Sequence, residues 1–218
     1  MSVETFILGY NYGYTYMTAR LLIEYDAPWE EIEDELGKLE VMHEYMLDLG
    51  LISKEEYEFF IKKNWEPKLK FIKEQLETTG ATPGLECHLI DIDVPMVTKD
   101  QIDFNHGYQI GWSMCEIIHG LEGIIEQIDA GVDPKIFEYI REGRREGACM
   151  WNVLHSFRYL EDTLTELLGS EDYRLAFVYM AKAAEALDKL DFRTGLEYWR
   201  LVHGLLERAK WRILKPII

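Results

Sequence analysis

The ten residues Phe6-Ile7-Leu8-Gly9-Tyr10-Asn11-Tyr12-Gly13-Tyr14-Thr15 return 98 positions later as Phe104-Asn105-His106-Gly107-Tyr108-Gln109-Ile110-Gly111-Trp112-Ser113. Phe, Gly, Tyr and Gly coincide in register, and an aromatic and a small hydroxyl residue follow in both copies. Such a recurrence asks that two related halves be considered before any one-piece fold. A shorter echo, Phe192-Arg193-Thr194-Gly195, opens the last apolar stripe.

Glycine inside a helix costs roughly 1 kcal/mol relative to alanine, so two of them four apart, in both copies, need a compensating contact. Gly9 and Gly13 share one helix face, as do Gly107 and Gly111, which predicts that the two helices cross with their backbones close. The pairs Tyr10/Tyr14 and Tyr108/Trp112 lie about 100° around each helix from the glycines and would flank that crossing. They are the candidate ligand-binding residues, either packing around the helix pair or lining a cavity on a pseudo-two-fold axis where a flat apolar molecule stacks.

Apolar residues recur at helical spacing almost throughout, as in Ile32, Leu36, Leu39, His43 and Met46, or Met114, Ile117, Ile118, Leu121, Ile124, Ile125 and Ile128. The spacing predicts an all-α, multi-helix bundle of about seven or eight helices with internal pseudo-two-fold duplication, at about 3–25, 28–49, 54–78, 100–129, 134–142, 146–168, 171–190 and 193–213. Helices 3–25 and 100–129 are the equivalent pair. Ser53 with Glu56 reads as a capping box, and Asp133-Pro134 as an N-cap followed by proline at the first helical position. Residues 79–99 carry two prolines and a short alternating run from Leu89 to Val94, which suits a link between halves or the rim of a pocket. We therefore expect one helical domain over 1–218, with sub-lobes 1–78 and 100–218 joined by loop 79–99. The final two stripes, over 171–213, resemble a tetratricopeptide-like hairpin in outline, without its Trp-x-x-Leu-Gly start or its spacing of about 34 residues.

A formal charge of −17 on 218 residues excludes a broad phosphate-binding surface, so nucleic acid is not an expected partner. Local basic clusters at Arg141, Arg144 and Arg145, and along the last helix from Arg193 to Lys215, should meet an acidic neighbour such as a protein partner or a second copy of the chain. Three cysteines without a C-x-x-C pair point to a reducing compartment and no disulfide. No apolar run reaches the roughly 18 to 20 residues of a membrane span, and no signal-peptide pattern opens the chain. A cytoplasmic protein without a membrane partner is expected.

Two Glu-x-x-His sequences, Glu40-Val41-Met42-His43 and Glu116-Ile117-Ile118-His119, place a carboxylate and an imidazole on one helix face. In this they resemble ferritin-like di-iron proteins, which combine two such pairs with a glutamate from each of two further helices. The resemblance implies a metal site at Glu40, His43, Glu116 and His119 holding iron or manganese. The residues themselves also suit structural histidines beside solvated glutamates, and under the 98-residue shift Glu116 and His119 align with Thr18 and Leu21. Cys87-His88 lacks a recognisable third group for nucleophilic chemistry, while Trp151, His155, Arg158, Tyr159 and Asp162 share one helix side that could wall a pocket.

The residues favour a non-catalytic helical protein that binds a protein partner or a small apolar ligand through its aromatic, glycine-notched seam. A carboxylate/histidine metal-dependent oxidoreductase is the alternative. A second alternative is an acidic protein that mimics nucleic acid to occupy a basic partner.

Overall fold

The computed structural model describes residues 2–81 and 89–214, and among these every regular element is helical. The order is α1 (Ser2–Glu24), α2 (Trp29–Asp48), α3 (Lys54–Phe60), a π turn (Ile61–Trp65), α4 (Glu66–Thr79), α5 (Lys99–Asp129), a 3-10 turn (Pro134–Ile140), α6 (Glu146–Tyr159), α7 (Glu161–Leu168), α8 (Ser170–Asp188) and α9 (Phe192–Leu214). The Ser53/Glu56 capping box forms, and Asp133 accepts from the Lys135 amide. A second box, Thr98 with Gln101, starts α5.

Three expected helices are less regular than their spacing suggests. The stretch expected over 54–78 runs through the π turn, whose extra residue swings Trp65 inward, where its Nε1 donates to Glu40 Oε1 at 3.0 Å. The stretch over 134–142 is wound as a 3-10 turn, and that over 146–168 breaks at buried Leu160. The alternating run after Leu89 forms no strand; Leu89, Ile92 and Val94 instead bury themselves against α1, where Tyr16 Oη donates to the Leu89 carbonyl at 2.7 Å.

Among the described residues, helices α1 and α5 share the most extensive interface and run parallel. A methyl group added at Gly9 would overlap the Phe104 carbonyl oxygen, and one at Gly107 the Phe6 carbonyl oxygen. Likewise Gly13 faces the Tyr108 carbonyl and Gly111 the Tyr10 carbonyl. Each contact thus has its counterpart under the 98-residue shift. The four glycines let backbone touch backbone, a geometry in which weak Cα–H···O contacts and dense packing offset their helix-propensity cost.

Two buried clusters flank this seam. Phe104 of α5 packs with α1 to α4, whereas Phe6 and Tyr10 of α1 pack with α5 to α9. Each central helix therefore sends its leading phenylalanine into the core on the far side, and the division between cores follows the seam rather than the 79–99 connection. Three basic residues of α9 find acids within the chain: Arg193 meets Asp129 and Arg200 meets Glu122, each at 2.5 Å, while Lys210 meets Glu207 at 2.7 Å. No helix of the described residues is long and apolar enough to cross a membrane.

Candidate functional site

The aromatic residues singled out at the seam do not surround one cavity. Tyr10 Oη lies 2.6 Å from His203 Nδ1 and Tyr14 stacks on the same imidazole at 5.1 Å, both toward α9. Tyr108 turns the other way and donates to Asp91 at 2.6 Å. The glycine crossing brings backbone against backbone on the axis, and of the four aromatic residues Trp112 lines one of the three cavities found among the described residues.

The two Glu-x-x-His pairs also part company. Exposed Glu40 accepts from Trp65, and His43 is enclosed by Phe60, Trp65 and Tyr12, whose Oη is 3.0 Å from Nε2. Burial lowers the His43 pKa to about 3, which keeps the imidazole neutral. On α5, exposed His119 instead pairs with Glu122 at 3.0 Å. The expected metal centre is not assembled: among the described residues no three His, Cys, Asp or Glu side chains are grouped to hold an ion. The physical reason is that the π turn and the aromatic core of α1 to α4 claim Glu40 and His43. Cys87-His88 lies outside the described residues.

Glu116 and His119 do meet other chemistry. Both line a cavity of about 770 Å³ between the C-terminal half of α1, the middle of α5 and the start of α6. Trp112 and Tyr139 supply aromatic wall, Arg20 and Glu24 form a 2.7 Å ion pair at its edge, and Arg145 and Glu146 enter from the α6 side. The entry is set by backbone: Arg145 adopts φ 46°, a conformation unusual for a residue with a side chain, and Gly147 packs its bare Cα on the Ile140 carbonyl. Arg145 then lies over the Tyr139 ring at 5.5 Å. Glu146 is carried inward across Gly120, whose missing side chain leaves the room it occupies.

Glu146 is only 6% exposed, yet its Oε2 has no hydrogen-bond partner. A buried carboxylate oxygen in that state costs on the order of 1–3 kcal/mol, so its retention calls for an explanation. Beside it, burial and then the Glu146 charge raise the Glu116 pKa, outweighing the opposing pull of Arg20 and Arg145. Burial likewise pushes the Cys149 thiol up to about 12, which makes it a poor nucleophile at neutral pH. The cavity thus combines excess negative charge, an unmet acceptor and two aromatic walls.

Sequence reasoning names Trp112, Glu116 and His119 but passes over Glu146, one glutamate among many. Its available signal is the Gly143-Arg144-Arg145-Glu146-Gly147 punctuation ahead of α6, together with Gly120 four residues beyond Glu116. Of the α6 side proposed as a pocket wall, Trp151 and Arg158 do line a second, apolar cavity, whereas Tyr159 packs against His106 in a tilted pair with ring centroids 4.6 Å apart. Comparison with protein-family models, curated proteins and solved structures finds no match to this chain.

Proposed function

We propose that this chain is a helical binding protein for a small primary amine, held in the cavity beside the glycine seam. The observation that carries the reading is the orphaned Glu146 Oε2 next to Glu116, whose proton affinity is raised. An ammonium group supplies both missing elements at once, a hydrogen-bond donor for the oxygen and a positive charge between two carboxylates. Trp112 and Tyr139 favour a cation with a short apolar stem, through ring-face attraction and stem burial. The reading retains ligand binding as the function while moving it from the closed seam to the space alongside.

Isothermal titration with butylamine, and with tetramethylammonium as a cation lacking N–H donors, tests it. The primary amine should bind with millimolar or better affinity and raise the melting temperature, the quaternary ion should bind at least about tenfold more weakly, and Glu146→Gln should remove the preference. Equal binding of the two ions, or no heat from either, contradicts the proposal.

A further inference from the structure

A separate cavity of about 540 Å³ lies between α6, α8 and α9, on the side of the molecule away from the 89–94 segment. Met150, Leu154, Phe177, Met180, Leu187 and Trp199 give it an apolar wall. Trp199 is 2% exposed, and its indole Nε1 has no hydrogen-bond acceptor. Indole N–H groups in protein interiors nearly always find one. The charged residues of the lining, Arg141, Arg158 and Asp188, are all exposed and solvated, whereas Trp199 is buried in the apolar core, where an ionised group would be costly to seat.

We infer that this cavity binds a neutral, hydrophobic carbonyl compound whose oxygen accepts the Trp199 indole proton. The apolar wall supplies most of the affinity by removing hydrocarbon from water, and the indole fixes orientation by rewarding a single acceptor at the buried end. Two methionines and a phenylalanine make the wall adaptable in shape, which suits an aliphatic chain as readily as a ring. This site shares no lining residue with the Glu116/Glu146 cavity, so the two readings stand or fall independently.

The test uses the full chain with methyl heptyl ketone and the terminal olefin of the same carbon count. In ¹⁵N-labelled protein, the ketone should shift the Trp199 indole N–H resonance, identified by its loss in Trp199→Phe, while the olefin should leave it in place. Trp199→Phe should weaken ketone binding about fivefold to tenfold and change olefin binding by less than about twofold. Because Trp199 is a core residue, Ala184→Trp provides a second arm: Ala184 lines the cavity yet is exposed, so the larger side chain fills the space without disturbing the core and should abolish binding of both probes. An unmoved indole resonance, or undiminished binding in Ala184→Trp, overturns the inference.

Discussion

The two ends of the α1/α5 pair use the same kind of residue in opposite ways. Over the first turns, Gly9, Gly13, Gly107 and Gly111 are pressed against carbonyl oxygens of the facing helix and leave no space. Further along α5, Gly120 yields its volume to the Glu146 side chain, and a Cβ added at Gly123 would meet nothing within 4 Å; both line the polar cavity. The 98-residue correspondence fades over the same stretch, since Glu116, His119, Gly120 and Gly123 align in sequence with Thr18, Leu21, Leu22 and Tyr25. Where the two segments match, they close on each other. Where they differ, the helix pair leaves a chamber lined with charge.

The largest expected effect lies in the closed half. Gly13→Ala places a methyl group onto the Tyr108 carbonyl and should cost at least about 3 kcal/mol in urea denaturation, because the two helices can make room only by moving apart and giving up close packing along the seam. A loss below about 1 kcal/mol would show that the crossing is loose and remove the contrast between the two ends.

Acid titration comes next and reports on the core around His43. Its folded-state pKa of about 3 lies below the ordinary 6.5, so the unfolded chain takes up the proton first. Stability is then fully present above about pH 6.5 and falls as pH drops toward 3, by up to about 1.4 kcal/mol per pH unit from this group. Burial lowers the pKa of His106 and His203 too, with the same sign. His43→Gln should flatten the pH dependence of urea midpoints between pH 6 and 4; an unchanged slope would place the acid sensitivity elsewhere.

Much of this framework is legible in the residues. Helical spacing locates nearly every element, and the paired glycines announce the crossing because only close backbone approach rewards them. The π turn, the break at Leu160 and the inward path of Glu146 escape such reading, because each is decided by tertiary packing that overrides a regular local pattern. Glu40 and His43 illustrate the reverse error: a spacing suited to metal ligation is equally suited to a histidine sealed among Tyr12, Phe60 and Trp65. Trp199 lies in the helical stretch expected over 193–213, and its unmet donor becomes visible only when its neighbours prove to be apolar.

Smaller effects belong to the open half. A raised carboxyl pKa means that ionised Glu116 opposes folding, with stability lost as pH rises from about 4.5 through its folded value. Glu116→Gln should therefore raise the melting temperature at pH 7 by about 2 °C, a modest gain because the carboxyl is partly screened by solvent, while weakening amine binding. Scanning calorimetry checks it, and a lower melting temperature would assign Glu116 a stabilising partner. Gly120→Ala meets the Glu146 side chain rather than backbone and should cost only about 1 kcal/mol, with loss of butylamine binding as Glu146 is displaced. Retained binding would show that the inward pose of Glu146 is dispensable.

Urea denaturation of Gly111→Ala beside Gly123→Ala tests the closed-and-open contrast most directly, since it makes one chemical change at two points of a single helix. Gly111→Ala should lose at least about 3 kcal/mol against the Tyr10 carbonyl, whereas Gly123→Ala should be neutral or gain about 0.5–1 kcal/mol from helix propensity. Equal losses at the two positions, or a benign Gly111→Ala, would contradict the account.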